Sequence, residues 1–186
     1  YLIAAIDRAS RWVYFEIRPD KTADTAAGFL ERLHAKAPFV IRTVLTDNGK
    51  EFTDRFCATG EREPTGQHAF DQICTAHGIQ HRLIKPRHPQ TNGMIERFNG
   101  RVAEVLKTTT FASARHLETT LQRYLHLYNQ HIPQKNLGHV TPIAKLQEYY
   151  RIKPKLFQKK PINHPGPDSY ERYVYECCKA STIQKV

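Results

Sequence analysis

Val40-Ile41-Arg42-Thr43-Val44-Leu45-Thr46 runs directly into Asp47-Asn48-Gly49, and the order of the neighbouring elements can be worked out from it. The β-branched run predicts a buried strand over 40–46, and Asp-Asn-Gly is a strong stop. Just upstream, Thr22 can cap a helix whose apolar stripe is Ala23, Ala26, Ala27, Leu30, Leu33 and Ala37, ended by Pro38. Further upstream, the apolar run 1–6 and the alternating segment 12–17 read as two strands joined by the loop Asp7-Arg8-Ala9-Ser10-Arg11. Downstream, the polar segment from Cys57 to His68 reads as an exposed loop. Ala69 to His77 reads as a short helix with Gly78 at its C-terminal cap, and Ile79 to Ile84 as another strand. Lys85 to Gly93, with two prolines and a glycine, predicts a basic loop. A helix carrying Ile95, Phe98, Val102, Val105 and Leu106 follows, then one carrying Leu117, Leu121, Tyr124, Leu125 and Tyr128, and Thr141-Pro142 opens a last short one. Strands alternating with helices after a hairpin predict an α/β fold, a mixed sheet flanked by helices.

The 186 residues carry 28 Lys and Arg against 18 Asp and Glu, a formal charge of +10 with His neutral. Such a surplus gathers polyanions, of which nucleic acid is the commonest, although charge alone names no partner. With 40% hydrophobic and 10% aromatic residues, wholesale disorder is excluded. The apolar runs fall far short of the roughly 20 residues a membrane-spanning helix needs. Cys57, Cys74, Cys177 and Cys178 are irregularly spaced and indicate neither a disulfide framework nor a zinc site, so a reducing cytosolic compartment is expected. Periodicity fades after Tyr150, where Arg151, Lys153, Lys155, Lys159 and Lys160 crowd a proline-containing segment. This divides the chain into a core over 1–150 and a basic, loosely structured tail over 151–186.

Two carboxylates stand out. Asp47 lies at the carboxyl end of the buried strand, where open α/β sheets present ligand-binding side chains, though Asp-Asn-Gly is also simply a turn. Glu96 lies in the first turn of its helix, where a carboxylate favours the unpaired amide groups. Gly100 and Ala103 leave the surface beside it bare, while Arg97 and Arg101 flank it, and Lys85, Arg87 and His88 sit in the preceding loop. Carboxylates converging from a strand end and a helix suit a magnesium ion, which takes hard oxygen ligands and keeps substrate phosphates in its shell.

Val44-Leu45-Thr46-Asp47-Asn48-Gly49-Lys50-Glu51-Phe52, Lys85-Pro86-Arg87-His88-Pro89-Gln90-Thr91-Asn92-Gly93-Met94-Ile95-Glu96-Arg97-Phe98-Asn99 and the later Tyr128-Asn129-Gln130 with Thr141-Pro142 closely resemble the catalytic core of DDE transposases and retroviral-type integrases, bacterial insertion-sequence transposases above all. The resemblance spans residues 1–150 and implies a ribonuclease-H-like fold with an Asp, Asp, Glu metal-ligand set. Asp47 matches the second ligand and Glu96 the third. The family's first Asp lies on a strand preceding the one read at 1–6, so the resemblance implies a core lacking the first strand of the fold. Asp7 matches a different position and is not counted as a ligand. The 48 residues between Asp47 and Glu96 exceed the usual spacing, which a surface insertion at 57–68 accounts for.

The resemblance implies Mg2+ or Mn2+ as cofactor, transposon-end and target DNA as partners, a homodimer or larger synaptic complex, and a bacterial, nucleoid-associated cytoplasmic location. Asp47 and Glu96 are the expected catalytic and metal residues; Lys85, Arg87, Asn92, Arg97 and Arg101 are the expected DNA-binding residues. The leading function is phosphodiester hydrolysis and strand transfer, with this chain itself inactive for want of the first Asp. The alternatives are a non-catalytic truncated transposase that binds DNA or the full-length enzyme and regulates it, and a ribonuclease-H-like nuclease without strand transfer. Aromatic Trp12, Tyr14 and Phe15 are assigned to the core rather than to base stacking.

Overall fold

The computed structural model describes residues 1–57, 60–61, 63–84 and 93–164. Leu2–Ile6 (β1) and Val13–Ile17 (β2) form the expected antiparallel hairpin, with Ala4 opposite Phe15. Its loop is built on Asp7, whose carboxylate accepts from the Ser10 backbone N–H at 2.7 Å and the Ser10 hydroxyl at 2.6 Å. Asp7 is thereby occupied as a turn cap.

Successive residues of a strand face opposite sides, and the hairpin uses both. Val13 and Phe15, with Leu2, Ala4 and Ile6 beside them, join a core with Phe98, Val102, Leu121 and Tyr128. Trp12, Tyr14, Ile3 and Ala5 pack on the opposite side against a core of Ala26, Phe29, Leu30, Leu33, Phe70 and Cys74. Hence Trp12, Tyr14 and Phe15 are core residues, as expected: Phe15 is 1% exposed, and Trp12 meets Phe39 edge-on at 5.6 Å. The alternation breaks at the end of β2. Ile17 is 36% exposed whereas Glu16 is 8% exposed. Glu16 is drawn inward by charge: Arg32 and Arg18 contact its carboxylate at 2.8 and 2.5 Å, and Tyr14 donates to it at 2.6 Å.

Helix α1, Ala23–Lys36, starts at the Thr22 cap and stops before Pro38 as read. The strand that follows is shorter than expected, Thr43–Thr46 (β3), because the backbone of 38–40 is taken by a later segment. Val40 N–H donates to Leu156 O at 2.8 Å, Phe39 bridges Phe157, and Lys159 Nζ reaches Ala35 O at the end of α1. The polar insertion holds a minimal pair, Phe56–Cys57 (β4) with Gly60–Glu61 (β5). Ala69–Ala76 forms α2, and Gly78 after it has φ +63, a left-handed conformation glycine takes without strain. Gln80–Leu83 (β6) lies parallel to β3, with Thr46 opposite Leu83. Among the described residues β1–β2 is an antiparallel pair and β3–β6 a parallel one, and the two pairs are not hydrogen-bonded to each other, so the single mixed sheet expected from the sequence is present as separate two-stranded pieces.

Gly93–Thr108 (α3) and Ala114–Gln130 (α4) cover the second face. Phe98, 1% exposed, meets Phe15 at 6.1 Å and Tyr128 edge-on at 5.1 Å. Leu106, read as part of that stripe, is 41% exposed; one residue past Val105, it turns away from the core. Pro142–Ile152 (α5) begins with the Thr141 cap and proline in the first turn. Residues 156–159 of the segment assigned to the tail are tied to residues 35–40, at and just after the end of α1, through the contacts above. Residues 165–186 lie outside the described ones.

Candidate metal and nucleic-acid site

Asp47 emerges at the C-terminal end of β3, and neighbours from β6 and α2 fix that end. Ile84 N–H donates to Thr46 O at 2.9 Å, and Asn48 Nδ2 donates to Ile84 O at 3.0 Å. Thr46, 8% exposed, places its hydroxyl 2.8 Å from His81 Nε2, and His81 Nδ1 lies 2.5 Å from Asp71 Oδ1. A carboxylate only accepts, so Nδ1 carries a proton toward Asp71, while Nε2 is hydrogen-bonded to the Thr46 hydroxyl. This chain of three side chains ties α2 to β6 and β6 to β3, one residue before Asp47.

Asp47 itself is exposed, and its Oδ1 accepts from Gly49 N–H at 3.0 Å, the Asx turn that Asp-Asn-Gly suggested. Gly49 leaves room there for two side-chain ends. A Cβ on it would stand 2.6 Å from Glu51 Oε2 and 3.0 Å from Asp47 Oδ1, so both carboxylates lie close to this bare backbone. Asn48 Oδ1 is buried and has no hydrogen-bond partner.

Glu96 is exposed in the first turn of α3, on the side opposite buried Phe98. One turn on, the space above Gly100 is open, with nothing within 4 Å of an added Cβ, so the bare strip expected beside this carboxylate exists. Among the described residues, neither Asp47 nor Glu96 takes part in an ion pair, and no hydrogen bond joins them. The donors on offer are two exposed carboxylates and one buried, unpartnered amide oxygen. All are hard oxygens, and magnesium is commonly held by one or two carboxylates plus substrate phosphates. The donor set fits that ion. Among the described residues no group of three or more His, Cys, Asp or Glu is placed to hold a metal.

Arg97 and Arg101 lie on one flank of α3. Arg97 Nε donates to Gly93 O at 2.9 Å, and Arg101 Nη1 donates to Gln134 at 3.2 Å with its guanidinium 5.8 Å from the centre of the Tyr128 ring. Lys85, Arg87 and Asn92, and with them His88, lie outside the described residues. Sequence reading missed Glu51, the Asp71–His81–Thr46 chain and Arg11. Asp71 and His81 sit on different elements at a spacing no motif rule covers. Arg11 reaches α3 by packing its guanidinium against Met94.

This fold is that of an integrase catalytic core. The chain aligns with the crystal structure of the catalytic core domain of BIV integrase at a TM-score of 0.59 and 22% identity, covering 82% of this chain and 89% of that one. Residues 1–89 and 77–142 each match an integrase core domain family, and the chain belongs to that family. Among curated relatives, it is 35% identical over 111 residues to the "Insertion element IS476 uncharacterized 39.2 kDa protein" of Xanthomonas euvesicatoria, covering 59% of this chain and 28% of that protein. It is 31% identical over 114 residues to the "Retrovirus-related Pol polyprotein from transposon TNT 1-94" of Nicotiana tabacum, covering 58% of this chain and 7% of that protein. The chain thus spans under a third of each. Among the described residues no helix is long and apolar enough to cross a membrane.

Proposed function

We propose that this chain is the core of a DDE transposase acting in DNA transposition or integration. Its parent would hydrolyse a phosphodiester at a transposon end and use the freed 3′-hydroxyl to attack target DNA. The observation that carries this reading is the state of Asp47 and Glu96: two carboxylates in a protein of charge +10, both exposed and, among the described residues, both outside any ion pair. Paired cations would satisfy them if their role were structural. Asp47 and Glu96 would hold Mg2+ or Mn2+, whose chemistry is activation of the attacking oxygen and stabilisation of the leaving one in an in-line displacement. The Asx turn aims the Asp47 carboxylate, and the Thr46–His81–Asp71 chain holds the strand end that carries it. Lys85, Arg87, Asn92, Arg97 and Arg101 would hold the DNA backbone, which positions a duplex without reading its sequence. A homodimer or larger synaptic complex on DNA, in a bacterial nucleoid-associated location, accompanies this reading.

One observation favours a second reading. With no group of three or more potential ligands placed to hold a metal among the described residues, the chain itself would bind DNA or a full-length transposase without cutting. Incubating it with end-labelled duplex DNA and Mg2+ separates the two. Nicked and joined products that vanish in the Asp47→Asn, Glu96→Gln double variant support a catalytic chain; DNA binding with no product supports the regulator. Nicked products without any joined ones support the simple nuclease.

A further inference from the structure

Arg11 has φ +62. A left-handed backbone is costly for a residue with a Cβ, and when such a residue is not Gly, Asn or Asp the strain is commonly kept for function. The turn imposes it: Arg11 N–H donates to Asp7 O at 2.9 Å while Asp7 holds Ser10. Its guanidinium donates to Arg8 O at 2.8 Å and packs on Met94 of α3. Met94, Arg97 and Arg101 occupy positions i, i+3 and i+7 of that helix, so they form one stripe. Arg11 therefore reaches, from a separate element, the helix stripe that carries Arg97 and Arg101, where the Arg101 guanidinium lies 5.8 Å from the centre of the Tyr128 ring.

What each guanidinium bonds is telling. The acceptors are Arg8 O, Gly93 O and the Gln134 amide, all neutral, and among the described residues no carboxylate pairs with any of the three. Glu104, the nearest acid along the stripe, forms no ion pair with Arg101. Gln134 is 7% exposed, so Arg101 is held by a buried group rather than left to wander in solvent. Three cations from two elements along one helix stripe, oriented by neutral acceptors, suit an anion.

We propose that Arg11, Arg97 and Arg101 form one binding site for a backbone phosphate of DNA, with Arg11 carried there by the strained hairpin turn. The inference rests on the reading of this chain as a DNA-binding core and adds to it a residue outside both motif segments. The test is the affinity of the folded chain for a labelled duplex oligonucleotide over a range of salt concentrations, for the parent, Arg11→Lys and Arg11→Asn. Asparagine tolerates the left-handed backbone better than arginine, so Arg11→Asn keeps or raises the thermal midpoint, which separates lost binding from lost folding. The expected result is weaker binding by Arg11→Asn at every duplex sequence tried, a log-log salt slope shallower by about one, and recovery of the slope in Arg11→Lys. Parent-like affinity and slope in Arg11→Asn would overturn the proposal while leaving the DNA-binding reading intact. A parent that binds no duplex even at low salt would overturn both. If inorganic phosphate protects the parent from thermal unfolding and Arg11→Asn equally, the anion site does not include Arg11 and the proposal fails.

Discussion

Asn129 pairs with both backbone groups of Val13: its Oδ1 accepts from Val13 N–H at 2.9 Å and its Nδ2 donates to Val13 O at 2.8 Å. A side-chain amide thus takes the place of a neighbouring strand, fixing α4 on β2 at a point where Val13 is fully buried. This gives a physical role to the Tyr128-Asn129 pair in the sequence. Tyr128 fills the core beside Phe98, and Asn129 satisfies the strand that supports them both.

Replacing Asn129 with Ala leaves a buried N–H and a buried C=O without partners. The expected loss of stability is about 2–6 kcal/mol, from two unmet groups at about 1–3 kcal/mol each. Urea unfolding followed by circular dichroism reads it; a loss below about 0.5 kcal/mol, the usual range of a surface substitution, would show that the clamp is dispensable.

Glu16 predicts an acid limb of stability. Burial alone would raise its carboxyl, but hydrogen bonds from Arg32, Tyr14 and Arg18 outweigh that and hold it at about 2, against 4.5 for the free group. Its folded value lies below its unfolded one, so its contribution is fully present above about pH 4.5 and drains away as pH falls toward 2. After allowance for half-exposed arginine partners, that contribution is on the order of 1–3 kcal/mol. Glu16→Gln should flatten the denaturation midpoint over this window, and a variant whose acid limb matches the parent's would refute the assignment.

His81 and Thr46 make a third test. Thr46→Val keeps the shape and removes the hydroxyl that faces Nε2, whereas Thr46→Ser keeps the hydroxyl. Valine should cost about 1–3 kcal/mol by leaving a buried ring nitrogen unmet, and serine less. Nitrogen chemical shifts of the His81 ring, expected to move in the valine variant and hold in the serine one, check the same bond; equal shifts in all three proteins would dismiss it.

Much of this was legible because local chemistry and tertiary packing agree. The 7–11 hairpin loop, the Thr22 and Thr141 caps, the stop at Pro38 and the Gly78 cap each follow from a single residue's backbone or side-chain preference. The misses come from long-range partners. Residues 40–42 carry strand-forming side chains, yet Leu156 claims the Val40 amide from far along the chain. Glu16 sits at a position the alternation places with Trp12 and Tyr14, but only Arg32, sixteen residues later, makes its burial tolerable. In the candidate site, the places of Asp47 after β3 and of Glu96 in the first turn of α3 were readable because each ends or opens an element inside a distinctive motif. Arg11, Glu51 and the Asp71–His81 pair were not, since only the folded chain brings them to α3, to Gly49 and to Thr46.

The central claim is that Asp47 and Glu96 are ligands of one divalent metal ion. Its most direct test is a Mn2+ titration of the chain followed by electron paramagnetic resonance, repeated on Asp47→Asn and Glu96→Gln. The account predicts saturable binding in the parent and at least about tenfold weaker binding, roughly 1.4 kcal/mol, in each variant. Binding that is unchanged by both substitutions, or absent from the parent, would contradict it.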